Sequence, residues 1–195
     1  MIKKAKLLDC DPGRQPYQFP THRHAPELWE QFGRVVASYG FLEEQLCHAI
    51  AAITGSKQVA QEHAEQELKA WGKKVEEALY SPLGKLLIEY ENAVTTHPNT
   101  KKLNSEKLIC DLKAVSAYRN PLCHGSWRAP DGQGRSELFF VDRKLRQFET
   151  KIDVQLLCRI QAELTRLICE VVNSVVLLGC EPISDRISNV NWSNL

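Results

Sequence analysis

A chain of 195 residues, 43% hydrophobic and 25% charged, has enough apolar sequence for one domain with a core of its own. A net charge of +1 excludes a protein that coats itself in nucleic acid through a broad basic face, so any such contact is local. Seven cysteines, an odd number without a CxxC spacing, exclude a disulfide framework and a zinc knuckle and point to a reducing, cytoplasmic setting.

Residues 1–25 carry Pro12, Gly13, Pro16 and Pro20 and read as an irregular arm. Its first residues hold lysines but little apolar sequence, so no signal peptide is expected. His22 and His24 have no carboxylate or cysteine beside them and read as loop. Helical periodicity starts at Pro26, a first-turn residue, and Gly55 fits the position just past the end. Trp29, Phe32, Val36, Tyr39, Leu42, Leu46, Ile50 and Ile53 form its apolar stripe. Gly33 and Gly40 either weaken this helix or admit close packing. A second helix over 59–80 has fewer apolar anchors. A third begins at "SPLGKLLIEYENAV", with Ser81 as cap and Pro82 at its first position.

"NSEKLICDLKAVSAYRNPLCHG" predicts a fourth helix, capped by Asn104 or Ser105, with Leu108, Leu112, Val115 and Tyr118 inward. The period then changes. Turn residues in "PDGQG", flanked by aromatic and β-branched residues, predict a hairpin or three-strand meander over 126–152. Asp153 caps a final helix ending near Leu178, with Leu156, Ile160, Leu164, Leu167, Val171 and Val175 inward. Arg159 with Glu163, and Arg166 with Glu170, are spaced as surface pairs. Cys158, Cys169 and Cys180, eleven apart, share one helix face and are expected in the core. The apolar run "VVNSVVLLG" is too short to cross a bilayer, so a soluble protein without membrane contact is expected, with a tail over 180–195. The predicted fold is all-α: a bundle of four to five helices over 26–179, with the β insert before the last.

Several chemistries find no motif. There is no paired Glu-x-x-His, no GxSxG, no HExxH and no Walker loop, and Glu44 with His48 reads as a surface pair. "PDGQGR" precedes a strand rather than a helix, so it is a turn and not a phosphate cradle. No metal and no cofactor are expected. "AYRNPLCHG" remains, with Arg119, Asn120 and His124 close together. On an ideal helix Asn120 and His124 share a face, while Arg119 and His124 lie roughly 140° apart. Pro121 kinks the chain and can bring them together. An arginine, a histidine and Gly125 also describe an ordinary helix end.

"RNPLCH", an arginine, a polar residue and then a histidine, resembles the signature of the HEPN superfamily of all-α domains. The layout of a long first helix containing "GFLEEQL", a motif late in a subsequent helix and a closing helix extends the resemblance over about 26–179. It implies a metal-independent endoribonuclease acting as a homodimer, with two motifs facing one another, in a toxin or phage-defence setting. Arg119 would bind the scissile phosphate, His124 would be general acid or base on the ribose 2′-hydroxyl, and Asn120 would position them. The product would be a 2′,3′-cyclic phosphate. Between Arg119 and Arg146 six basic residues face three acidic ones, so Arg128, Arg143 and Lys144 are RNA-binding candidates. Trp127 is a stacking surface or hairpin core. Ser126 stands where HEPN toxins modified by a nucleotidyltransferase partner often carry tyrosine, which puts that mode of control by an antitoxin in doubt. Two alternatives keep the bundle: a non-catalytic HEPN-like module binding nucleotide, RNA or protein, and a plain helical interaction protein.

Overall fold

The computed structural model describes residues 22–56 and 64–182. The proline-rich segment before His22, the start of the second predicted helix and the tail beyond Pro182 lie outside the described residues. The elements are α1 (Pro26–Gly55), α2 (Ala64–Leu79), α3 (Leu83–Thr95), a 3₁₀ turn (Thr100–Lys102), α4 (Ser105–Ser116), the six-residue α5 (Arg119–His124), β1 (Ser126–Trp127), β2 (Leu138–Phe139) and α6 (Val154–Leu177). The molecule is an all-α bundle with a small antiparallel sheet before its last helix. In that sheet Ser126 pairs with Phe139 and Trp127 with Leu138. Bridges from Ser136 to Ile152 and from Val141 to Gln147 add a third line of chain, so the insert is a short meander.

The core forms where α1 lies against α6, α3 and α2, and where α4 lies against α3 and α6. From α1, Leu28, Val35, Tyr39, Leu42, Leu46, Ile50 and Ile53 turn inward. From α6, Leu157, Ile160, Leu164, Leu167, Val171 and Val175 meet them. Each such aliphatic side chain contributes about 1.5–3 kcal/mol by leaving water. Val35 and Leu157 hold the places expected of Val36 and Leu156, which are half-buried. Cys158 and Cys169 are exposed, against expectation. They follow the buried Leu157 and Ile168 by one residue, roughly 100° round the helix, so their shared face is the solvent face. Cys180 is buried. A polar tie crosses the same core: the Tyr90 hydroxyl donates to Ser174 Oγ (2.7 Å), and the Ser174 hydroxyl donates to the Val171 carbonyl (2.6 Å). Burial pushes the Tyr90 phenol up to about 12.

Helix ends follow the sequence in part. Pro26 lies in the first turn of α1, and Asp153 Oδ1 accepts the Leu156 N–H at 2.7 Å. Ser81 does not cap α3; its hydroxyl donates back to the Glu77 carbonyl (2.7 Å) at the end of α2. Asn104 precedes α4 without a side-chain cap. α1 runs through Gly55 instead of ending before it, and a side chain there would meet the Trp71 indole at 3.2 Å. Among the described residues nothing lies within 4 Å of where a Cβ on Gly33 or Gly40 would stand, so neither glycine serves close packing there. On the surface Arg166 holds Glu170, as expected, and also Glu163 and Asp111 (2.8 Å), tying α6 to α4. Glu163 therefore pairs with Arg166 rather than with Arg159. Among the described residues no helix is long and apolar enough to cross a membrane.

Candidate functional site

The predicted fourth helix divides. α4 ends at Ser116, the chain turns at Ala117 and Tyr118, and α5 begins at Arg119. Pro121 is the third residue of α5, in a first turn whose N–H groups have no partner within the helix, so its missing donor costs nothing there. The break at Ala117 and Tyr118 lies three to four residues before Pro121, where a proline ring crowds the preceding helical turn and removes its hydrogen bond. Tyr39 of α1 secures the break, its hydroxyl donating to the Val115 carbonyl at 2.7 Å. Burial pushes that phenol above its ordinary value, with the Cys123 and Tyr118 side chains adding and Arg119 opposing. α5 closes with the Gly125 N–H on the Pro121 carbonyl (2.8 Å). A Cβ on Gly125 would lie 2.4 Å from that oxygen, so position 125 has no room for a side chain.

One helical turn beyond Tyr39, Glu43 lies 3.5 Å from the Arg119 guanidinium. Its Oε1 is hidden from solvent and has no hydrogen-bond partner among the described residues, where the charge contact with Arg119 is what the oxygen has. On its other side Arg119 Nη1 is 3.4 Å from His124 Nε2. A guanidinium can only donate, so Nε2 accepts and the ring proton sits on Nδ1 in this arrangement. The side chains of Glu43 and Arg119 are 26% and 31% exposed, enough for a ligand to reach the row from outside. Arg119 and His124, out of line on an ideal helix, are brought together. Asn120 is exposed one residue on and bonds to neither. Glu43 was missed by the sequence reading. Its one signal is a carboxylate flanking the apolar stripe beside the buried Leu42, four residues after Tyr39.

The β insert begins directly after Gly125. Trp127 is half-buried in a ring cluster with His24 (5.9 Å), Trp29 (5.1 Å) and Phe32 (5.4 Å), the hairpin-core alternative. His24 is itself buried and hydrogen-bonded to Ser136 Oγ, so it joins the insert to the chain before α1 rather than lying in open loop. Arg128 lies over the Phe139 ring, 5.4 Å from its centroid. Arg143 and Lys144 stand on an exposed turn between Val141 and Gln147, away from the row just described in sequence but joined to it by Phe148, whose ring meets Tyr118 at 6.1 Å. Among the described residues no group of three or more His, Cys, Asp or Glu is placed to hold a metal ion. Comparison with known proteins gives no match to a family model, a curated protein or a solved structure.

Proposed function

We propose that the chain is a metal-independent endoribonuclease of the HEPN type, acting as a homodimer. The observation that carries this reading is the 3.4 Å approach of Arg119 Nη1 to His124 Nε2, inside the motif whose resemblance suggested it. Imidazole titrates near neutral pH and serves either half of a proton transfer. In the reaction the Arg119 guanidinium turns from His124 Nε2 to the phosphate, and the freed Nε2 takes the proton of a ribose 2′-hydroxyl as that oxygen bonds to phosphorus. The bond from phosphorus to the 5′-oxygen breaks, and the departing oxygen takes a proton from water. A 2′,3′-cyclic phosphate and a 5′-hydroxyl remain. Arg119 supplies a planar donor fork to the non-bridging oxygens, where negative charge grows. Glu43 holds that fork in place.

The test is cleavage of an end-labelled RNA oligonucleotide in EDTA. The wild type is expected to cut it, and His124→Ala and Arg119→Ala are expected to abolish cutting with the circular dichroism spectrum unchanged. A second reading, a non-catalytic HEPN-like module binding RNA, nucleotide or protein, draws on the ion pair with Glu43, which offsets part of the Arg119 charge. RNA bound by the wild type and left whole favours it.

A further inference from the structure

The β insert contains one turn twice. In the 131–135 turn, Asp131 Oδ1 accepts the N–H groups of Gln133 (3.0 Å) and Arg135 (3.1 Å), and Oδ2 holds the Arg135 guanidinium at 3.0 Å. The Asp131 N–H donates to the Arg135 carbonyl and the Gly134 N–H to the Asp131 carbonyl, both at 2.9 Å. In the 142–146 turn, Asp142 Oδ1 accepts from Lys144 (2.8 Å) and Arg146 (3.0 Å), and Oδ2 holds the Arg146 guanidinium at 2.6 Å. The two backbone bonds recur from Asp142 to Arg146 and from Leu145 to Asp142, each at 3.0 Å. The fourth residue of each turn has left-handed backbone, at φ +74° for Gly134 and +61° for Leu145.

Glycine is the residue such a position selects. The second turn puts a leucine there, the one non-glycine residue with positive φ among the described residues. That leucine is 86% exposed, so the fold makes no use of its side chain. Beside it, Arg143 and Lys144 make no ion pair among the described residues, while Arg146 is spent on Asp142. The strap that carries the turn closes where the Phe148 N–H donates to the Phe140 carbonyl (2.9 Å). Its Phe148 ring packs on Tyr118, the neighbour of Arg119. From Phe148 to Leu145 the chain spans at most about 10 Å, which keeps the tip within a few nucleotides of the candidate site.

We propose that the 142–146 turn is a contact for single-stranded RNA, with Arg143 and Lys144 on backbone phosphates and Leu145 wedged against an unstacked base. This rests on the ribonuclease reading of Arg119 and His124. Two cations without an ion pair among the described residues, directly before an exposed apolar side chain, suit a polyanion whose unstacked bases offer apolar faces. The rigid Asp142 turn holds that side chain out in advance of binding.

The experiment titrates a fluorescently labelled single-stranded RNA oligonucleotide into the full chain at several salt concentrations, in the His124→Ala background so that the RNA stays whole. Leu145→Gly is expected to weaken binding about tenfold with its melting temperature unchanged or raised. Arg143→Ala/Lys144→Ala is expected to lower the log–log salt slope by about 1.4, the loss of two single-strand phosphate contacts. Gln133→Ala, in the twin turn, changes neither. Parental affinity in Leu145→Gly, or a parental slope in the double variant, overturns the proposal. So does a parent that ignores RNA while Leu145→Gly breaks self-association in sedimentation, since the tip then serves a protein surface. Unchanged RNA affinity in Leu145→Gly, in a protein whose cleavage needs His124, removes the tip and leaves the ribonuclease. RNA held through Leu145 but never cut by the wild type removes the ribonuclease and leaves the tip.

Discussion

Glu43 keeps a carboxylate oxygen away from water with no hydrogen bond among the described residues in return, an arrangement that costs stability unless a charge stands by. Arg119 is that charge, and the benefit falls to its orientation toward His124. Glu43→Gln is therefore expected to slow RNA cleavage between about ten- and a hundredfold through loss of positioning, mostly in kcat, with little change in melting temperature. Steady-state kinetics beside a thermal melt checks this; a collapse of the melting temperature in step with the rate would make Glu43 merely structural. The approach of Arg119 to His124 was legible in the sequence because the two sit within one short stretch, while Asn120 between them bonds to neither. Glu43 was not legible, because only the packing of α1 against α5 brings it to Arg119. The proximity of Arg119 and His124 was anticipated from Pro121, whereas the tyrosine on another helix that binds the Val115 carbonyl at the same break was not.

At the scale of elements, α3 and α6 are joined through a buried hydroxyl pair, and the two partners are not equivalent. Ser174→Ala strands the Tyr90 hydroxyl and is expected to cost about 1–3 kcal/mol, whereas Tyr90→Phe leaves Ser174 bonded to Val171 and costs about 1 kcal/mol. Denaturant unfolding of both variants reads the order directly. The twin turns give a second contrast. Replacing Leu145 by glycine relieves a left-handed backbone worth about 1–2 kcal/mol while adding about 0.5–1 kcal/mol of chain entropy cost, so stability holds or rises slightly. The turns also respond to acid. The Arg146 N–H and guanidinium hold the Asp142 carboxyl below its ordinary value, and the Arg135 and Gln133 N–H groups with the Arg135 side chain do so for Asp131. A folded-state value below the unfolded one means that the unfolded chain takes up protons first as pH falls. Both turns are therefore intact at neutral pH and loosen only in acid below about pH 4. The amide resonances of Gln133 and Lys144 are expected to titrate with midpoints under about 3.9, and midpoints at or above that value would contradict the bonding. Strand and helix types were readable from period and turn residues. The inward or outward sense of Cys158 and Cys169 was not, since an eleven-residue repeat defines a face without saying which way it points.

For the whole molecule, the ordering of helices was legible because each long helix carries its own apolar stripe, and the bundle is what buries those stripes together. Partnering was not legible, because a dimer is a property of a surface and not of a period. The resemblance to HEPN domains implies two copies with their motifs facing, and sedimentation equilibrium is expected to show a dimer at micromolar concentration. The central claim is that Arg119 and His124 direct a ribose 2′-hydroxyl onto the neighbouring phosphate. Mass spectrometry of the products of an RNA oligonucleotide incubated in EDTA tests it most directly, set beside the same oligonucleotide with one 2′-deoxy sugar at the cut site. The account predicts 2′,3′-cyclic phosphate and 5′-hydroxyl ends, no cut at the deoxy position and none by His124→Ala. A 3′-hydroxyl end with a 5′-phosphate, or cutting at the deoxy position, would contradict it.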